Sequence, residues 1–271
     1  MFKQLIVFLS LQAGLGICSF KIDNINNLNK ISLSEKKGFY LSNNKIQHIR
    51  PDIGVVFSFQ QSVPKEVKIS ALKSINIWNN VFKKLGNNNV FKNTSINTLT
   101  KINESNPLSP TKLLFYVNNK IKSLASVEMT TDKKTNQVIK CNISVNKKKI
   151  NDLSDFHYAK LKNSSSRLST LSQNEHQLYA FVAVISHEIG NCIGISDNYA
   201  SDRYNLLNLA DFDTLLDYNN INKHIEIISE NRIGLLEEKL ISWAYYNKNK
   251  NPYSGSNSAP FVGEKLKYIS Q

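Results

Sequence analysis

A histidine and a glutamate stand side by side at positions 187 and 188, followed by Asn191, Gly194 and Asp197. Positions 187 and 191 are four apart, so on a helix they project from one face about one turn from each other. Two ligands of a single metal ion need that spacing. A glutamate directly after the first ligand reaches a metal-bound water and acts on it as general base. Gly194 lets the helix stop and the chain double back, so that Asp197 arrives from the other side as a third ligand. The chemistry written here is metal-assisted hydrolysis, with Glu188 as base and His187 and Asp197 as ligands. Asn191 holds the second ligand position and is its weak member. Its amide oxygen is shorter in reach than an imidazole nitrogen and a poorer donor to zinc.

The stretch 186–199 resembles the metzincin clan of zinc endopeptidases, whose pattern is His-Glu-x-x-His-x-x-Gly-x-x-His, with Asp in the last place in some members. His187, Glu188, Gly194 and Asp197 match it, and Asn191 does not. Residues 197–201 also look like the His-Asn-Phe-x-x-Ser continuation of secreted bacterial matrixin- and snapalysin-like members. The resemblance covers residues 53–246, with its specific part at 184–199. It implies an α+β fold of the zincin type. A mixed, twisted sheet would pack on an N-terminal helix and an active-site helix, and a small C-terminal lobe would end in a helix. It implies zinc as cofactor, held weakly or not at all because of Asn191. It further implies that Val138–Val145 is the edge strand, pairing with an extended substrate through Cys141, Asn142, Ile143, Ser144 and Val145.

The family also places a methionine in a tight turn beneath the metal. The only methionines here are Met1 and Met129. The turn is expected at 214–218, with Leu216 in the methionine's place, or at 205–208; Leu for Met is a mild packing change. His176 lies about three turns up the helix, about 16 Å from His187, and His224 lies beyond the turn. Neither is adopted as a replacement ligand.

The expectation for function is a metallopeptidase-family protein with impaired zinc binding and little or no peptide hydrolysis, retaining a peptide groove. An active endopeptidase using Glu188 is the first alternative. A non-catalytic surface module binding through its basic face is the second.

The elements that must position these residues follow from periodicity. Val55, Phe57 and Phe59 alternate, which marks a strand. Leu72, Ile75, Trp78, Phe82 and Leu85 recur at helical steps, with Pro64 in the first turn and Gly86 at the stop. Strands are expected at 113–117, 124–131 and Val138–Val145, the last two joined by a polar turn at 132–136. A Ser/Asn-rich loop is expected at 163–170. Ser172 and Glu175 form a capping box that opens the site helix. A last helix starts after Ser229.

Composition narrows the partners. There are 34 Lys+Arg against 21 Asp+Glu, a formal charge of +13. The arginines are only Arg50, Arg167, Arg203 and Arg232, and the lysines are dispersed. Nucleic-acid sites cluster their charge and use arginine forks, so no specific nucleic acid is expected. The expected partner is a peptide or protein, met by a monomer without a transmembrane segment. Lys3, the apolar run 5–17 and small residues at 16–19 read as an export leader cleaved near Cys18 or Ser19, giving a secreted or periplasmic protein. Lipidation at Cys18 is the less favoured alternative. The domain plan is a leader at 1–19, a polar arm or pro-segment at 20–50, the peptidase-like domain at 51–246 and a loose tail at 247–271. Cys141 and Cys192 are free to pair in an oxidising compartment.

Overall fold

Five strands form the main sheet of the computed structural model, which describes residues 39–42, 45–104, 106, 108–161, 167–197, 214–215 and 221–246. The leader at 1–19, the tail at 247–271, residues 198–201, the 205–208 turn and Leu216 lie outside the described residues. A short hairpin, β1 (Leu41–Ser42) and β2 (Lys45–Ile46), precedes the sheet. The sheet strands are β3 (Val55–Phe59), β4 (Phe91–Asn93), β5 (Thr111–Val117), β6 (Ala125–Thr131) and β7 (Val138–Val145). Their order is β4-β3-β5-β7-β6, with β6 alone antiparallel to its neighbour. The protein is therefore α+β, with a mostly parallel five-stranded sheet.

The helices are α1 (Lys65–Lys84), α2 (Ile96–Lys101), α3 (Lys147–Leu161), α4 (Gln173–Cys192), α5 (Ile221–Ser229) and α6 (Leu235–Tyr246). The α1 helix forms as its pattern predicts, with Pro64 at the N-cap, and it buries Ile75, Trp78 and Phe82. None of the described helices is long and apolar enough to cross a membrane.

The β6–β7 hairpin is built as expected, closed by a polar turn. Asp132 Oδ1 accepts from the backbone of Lys134 (3.0 Å) and Thr135 (2.7 Å), and Asn136 takes φ +60°. The edge assignment is corrected, however. The apolar side of β7 pairs Cys141 and Ile143 with Leu113 and Phe115 of β5. Its other side pairs with β6, so β7 is interior. The edge is β6, which exposes Glu128 and Thr130. A charged, polar outer strand is how sheets protect an edge. That signal was in the sequence.

Packed structure also begins before residue 51, where the domain was expected to start. Phe39 bridges to Ile195, Ile46 and Ile49 are buried, and the Val138 N–H donates to His48 O at 2.7 Å. Residues 39–50 are thus packed against both the sheet and the end of α4, not a loose arm. The α3 helix is a second departure. Its polar sequence hides a narrow buried stripe of Ile150, Ser154 and Leu161, and Asn146 Oδ1 caps it by accepting from Lys149 N at 3.0 Å. Of the expected 163–170 loop, residues 167–170 form a 3-10 turn.

Candidate functional site

The α4 helix carries the site, and three contacts fix its position. Ser172 and Glu175 close the expected capping box. From α1, the Ser74 hydroxyl donates to Val182 O at 3.1 Å and the Trp78 indole donates to Ser186 O at 3.0 Å. The helix thereby presents the residues after Ser186 from a fixed height above the sheet. At its end, Gly194 takes φ +95°, where a Cβ would lie 2.0 Å from Gln47 O. No other residue fits between that turn and the Gln47 backbone. Cys192 is tied to Cys141 of β7 by a disulfide. Tyr245 of α6 donates from its hydroxyl to Ile193 O at 2.7 Å and accepts from Ile49 N at 3.1 Å.

The turn brings the predicted residues together. His187 Nε2 lies 3.0 Å from Asp197 Oδ1. The Asn191 amide Nδ2 donates to the same Asp197 oxygen at 3.1 Å and, at the long limit of 3.4 Å, to Glu188 Oε2. Asn191 Oδ1, on the other side of the amide, is buried without a hydrogen-bond partner. His187 Nδ1 lies 2.8 Å from the Leu215 carbonyl. A carbonyl only accepts, so Nδ1 carries a proton. Leu215 in turn is held by Glu237 of α6, whose Oε1 accepts from Leu215 N at 2.7 Å and from the Thr214 hydroxyl. The chain from Glu237 through Leu215 to His187 sets the imidazole plane.

Electrostatics follow from this packing. Burial by itself would lower the His187 pKa, but the Asp197 hydrogen bond, the Glu188 and Asp197 charges and the Leu215 carbonyl together raise it to about 9. His187 is therefore an imidazolium in this arrangement, donating from both nitrogens. Burial pushes the Glu188 carboxyl up against the pull of His187, and Asp197 adds to the rise.

Whether these donors suit zinc is a question of count and type. Catalytic zinc takes three protein ligands and a water. His187 and Asp197 are good ligand types, but here the protonated His187 Nε2 donates to Asp197 Oδ1, and Asn191 faces Asp197 with N–H groups that cannot ligate. Turning the amide would present a neutral oxygen, ranked below imidazole for zinc, and would break both of its hydrogen bonds. Among the described residues no three of His, Cys, Asp or Glu converge on one point. As arranged, this donor set does not fit a catalytic zinc.

Of the other expected site residues, Cys141 is spent in the disulfide, and Asn142, Ile143, Ser144 and Val145 pair on both sides inside the sheet. They cannot receive a substrate strand, because the backbone groups that would do so are already bonded. The open edge of β6 runs instead to a pocket of about 520 Å³ beside Glu188. Ala125 of β6, Val184 and His187 of α4 and His224 of α5 all line it. The sequence reading missed Glu237 and the pocket. The first looked like an ordinary helix acid and the second exists only once α3 and α5 are in place.

No family model, curated protein or solved structure matches the chain.

Proposed function

We propose that this chain is an exported, metzincin-like protein whose metal centre is closed by Asn191 and whose remaining function is to bind an extended peptide. The observation that carries the reading is the Asn191 amide, which donates to Asp197 at 3.1 Å and locks that carboxylate against His187. Hydrolysis needs an activated water, and with the ligands engaged to each other Glu188 has no metal-bound water to deprotonate. What supports retained binding is the outer side of β6, which no strand among the described residues pairs with and which another strand could join. The Cys141–Cys192 disulfide supports an oxidising compartment.

The test is metal analysis and casein hydrolysis on the purified mature chain. The expected result is substoichiometric zinc and no cleavage. Stoichiometric zinc together with cleavage that disappears in Glu188→Ala would make the protein a working peptidase and defeat the reading.

A further inference from the structure

We propose that the pocket beside Glu188 selects an acidic residue of the bound peptide. This rests on the peptide-groove reading above and adds the identity of the side chain received. The pocket has an apolar body made by Leu124, Leu153 and Val184. Around it stand Lys122, from the loop that leads into β6, and Lys149 and His157, from α3. The Lys149 ammonium donates to the Lys122 carbonyl, which ties helix and loop together, and both lysines stand on the pocket rim. Both lysine side chains are exposed, and neither has a carboxylate partner among the described residues. Their neighbour Lys147 is by contrast paired with Glu66 across the helix start.

Among the described residues that line the pocket, Glu188 is the carboxylate. It accepts a long hydrogen bond, 3.4 Å, from the Asn191 amide. Ala125 places this rim at the first residue of β6. A peptide laid along the outer side of β6 would deliver side chains at alternate positions, one of which falls beside Ala125. A carboxylate there meets both ammonium groups. Three residues on, at about 3.3 Å per residue, the strand exposes Glu128, so an acid at that level would be repelled. The pattern on β6 therefore demands acid at one position only, which bulk attraction to a chain of charge +13 does not.

Fluorescence polarisation on the mature chain tests this with a labelled Thr/Val/Ala host peptide, one Glu being stepped through its positions. Binding should be tightest with Glu at a single position and about tenfold weaker with Lys there. The double substitution Lys122→Glu with Lys149→Glu, at two exposed sites, should erase or invert that preference. Equal gain from Glu at every position would overturn the inference while the groove stands. So would a single-position preference that survives the charge reversal. Failure of every peptide to bind would defeat the groove reading itself, and the inference with it.

Discussion

The Asn191 amide and the Asp197 carboxylate are hydrogen-bonded at 3.1 Å, so the residues expected as second and third ligands bond to each other. The same carboxylate is the ion-pair partner of His187. Asp197 is thus the anion of an internal cluster with His187 and Asn191.

Replacing that amide by an imidazole should reverse the arrangement. Asn191→His removes the donor that faces Asp197 and puts a strong ligand four residues from His187. Zinc affinity should rise by well over the 10–100-fold that changes outside the ligand set produce. Competition with a chromophoric chelator measures it. An Asn191→His chain that binds zinc no better than the parent would mean that the donors cannot converge at all.

Glu237 should matter to stability although it touches no part of the groove. Its Oε1 accepts from both Thr214 and Leu215 in a buried setting. Glu237→Ala strands those two donors, at about 2–4 kcal/mol in urea unfolding. Glu237→Gln keeps an acceptor oxygen and should recover part of the loss. A loss in Glu237→Ala below about 0.5 kcal/mol, the scatter of ordinary surface changes, would show that the 214–215 segment is held by other contacts.

The disulfide closes a loop with a sequence separation of 51. Loop-closure entropy for that length gives about 4 kcal/mol of stabilisation. Cys141 and Cys192 are 0% and 3% exposed, so reductant should act slowly on the folded chain and quickly in denaturant. Urea midpoints with and without reductant measure the first quantity, and thiol trapping over time measures the second. Rapid trapping under native conditions would contradict the burial.

What the sequence made legible was local. The spacing of His187, Glu188 and Asn191, the Ser172 capping box and the glycine stop are rules about neighbours within a turn or two, and each took its expected form. The return of Asp197 was legible because Gly194 permits one tight reversal. The edge of the sheet was not legible in this way. It depends on which hairpin strand β5 accepts, and the apolar match of Leu113 and Phe115 to Cys141 and Ile143 decides that across 28 residues of chain. The packing of residues 39–50 was hidden for a similar reason. Ile46 and Ile49 sit among polar neighbours, and residues distant in sequence, among them Val138, Gly194 and Tyr245, give them a place.

Stability should peak near pH 6.5, because two buried histidines titrate away from that value in opposite directions. For His48, burial is the largest influence and lowers its pKa to about 4, with Arg50 adding to the fall and the Ile46 carbonyl opposing it. The unfolded chain then binds the proton more readily than the folded one, so stability is complete above pH 6.5 and is lost as pH falls through 4. The interval from 6.5 to 4 corresponds to about 3 kcal/mol at 1.36 kcal/mol per pH unit. For His187 the sign is reversed. Its folded pKa of about 9 lies above the unfolded value, so its contribution is complete below 6.5 and is lost as pH rises through 9, again by about 3 kcal/mol. Urea unfolding across pH 4 to 9 should trace both limbs. Comparing His48→Gln with the parent isolates the acid limb, and His187→Gln isolates the alkaline one, each free of the carboxylates common to both chains. An alkaline limb that persists in His187→Gln would mean that the Asp197 pair does not hold the proton.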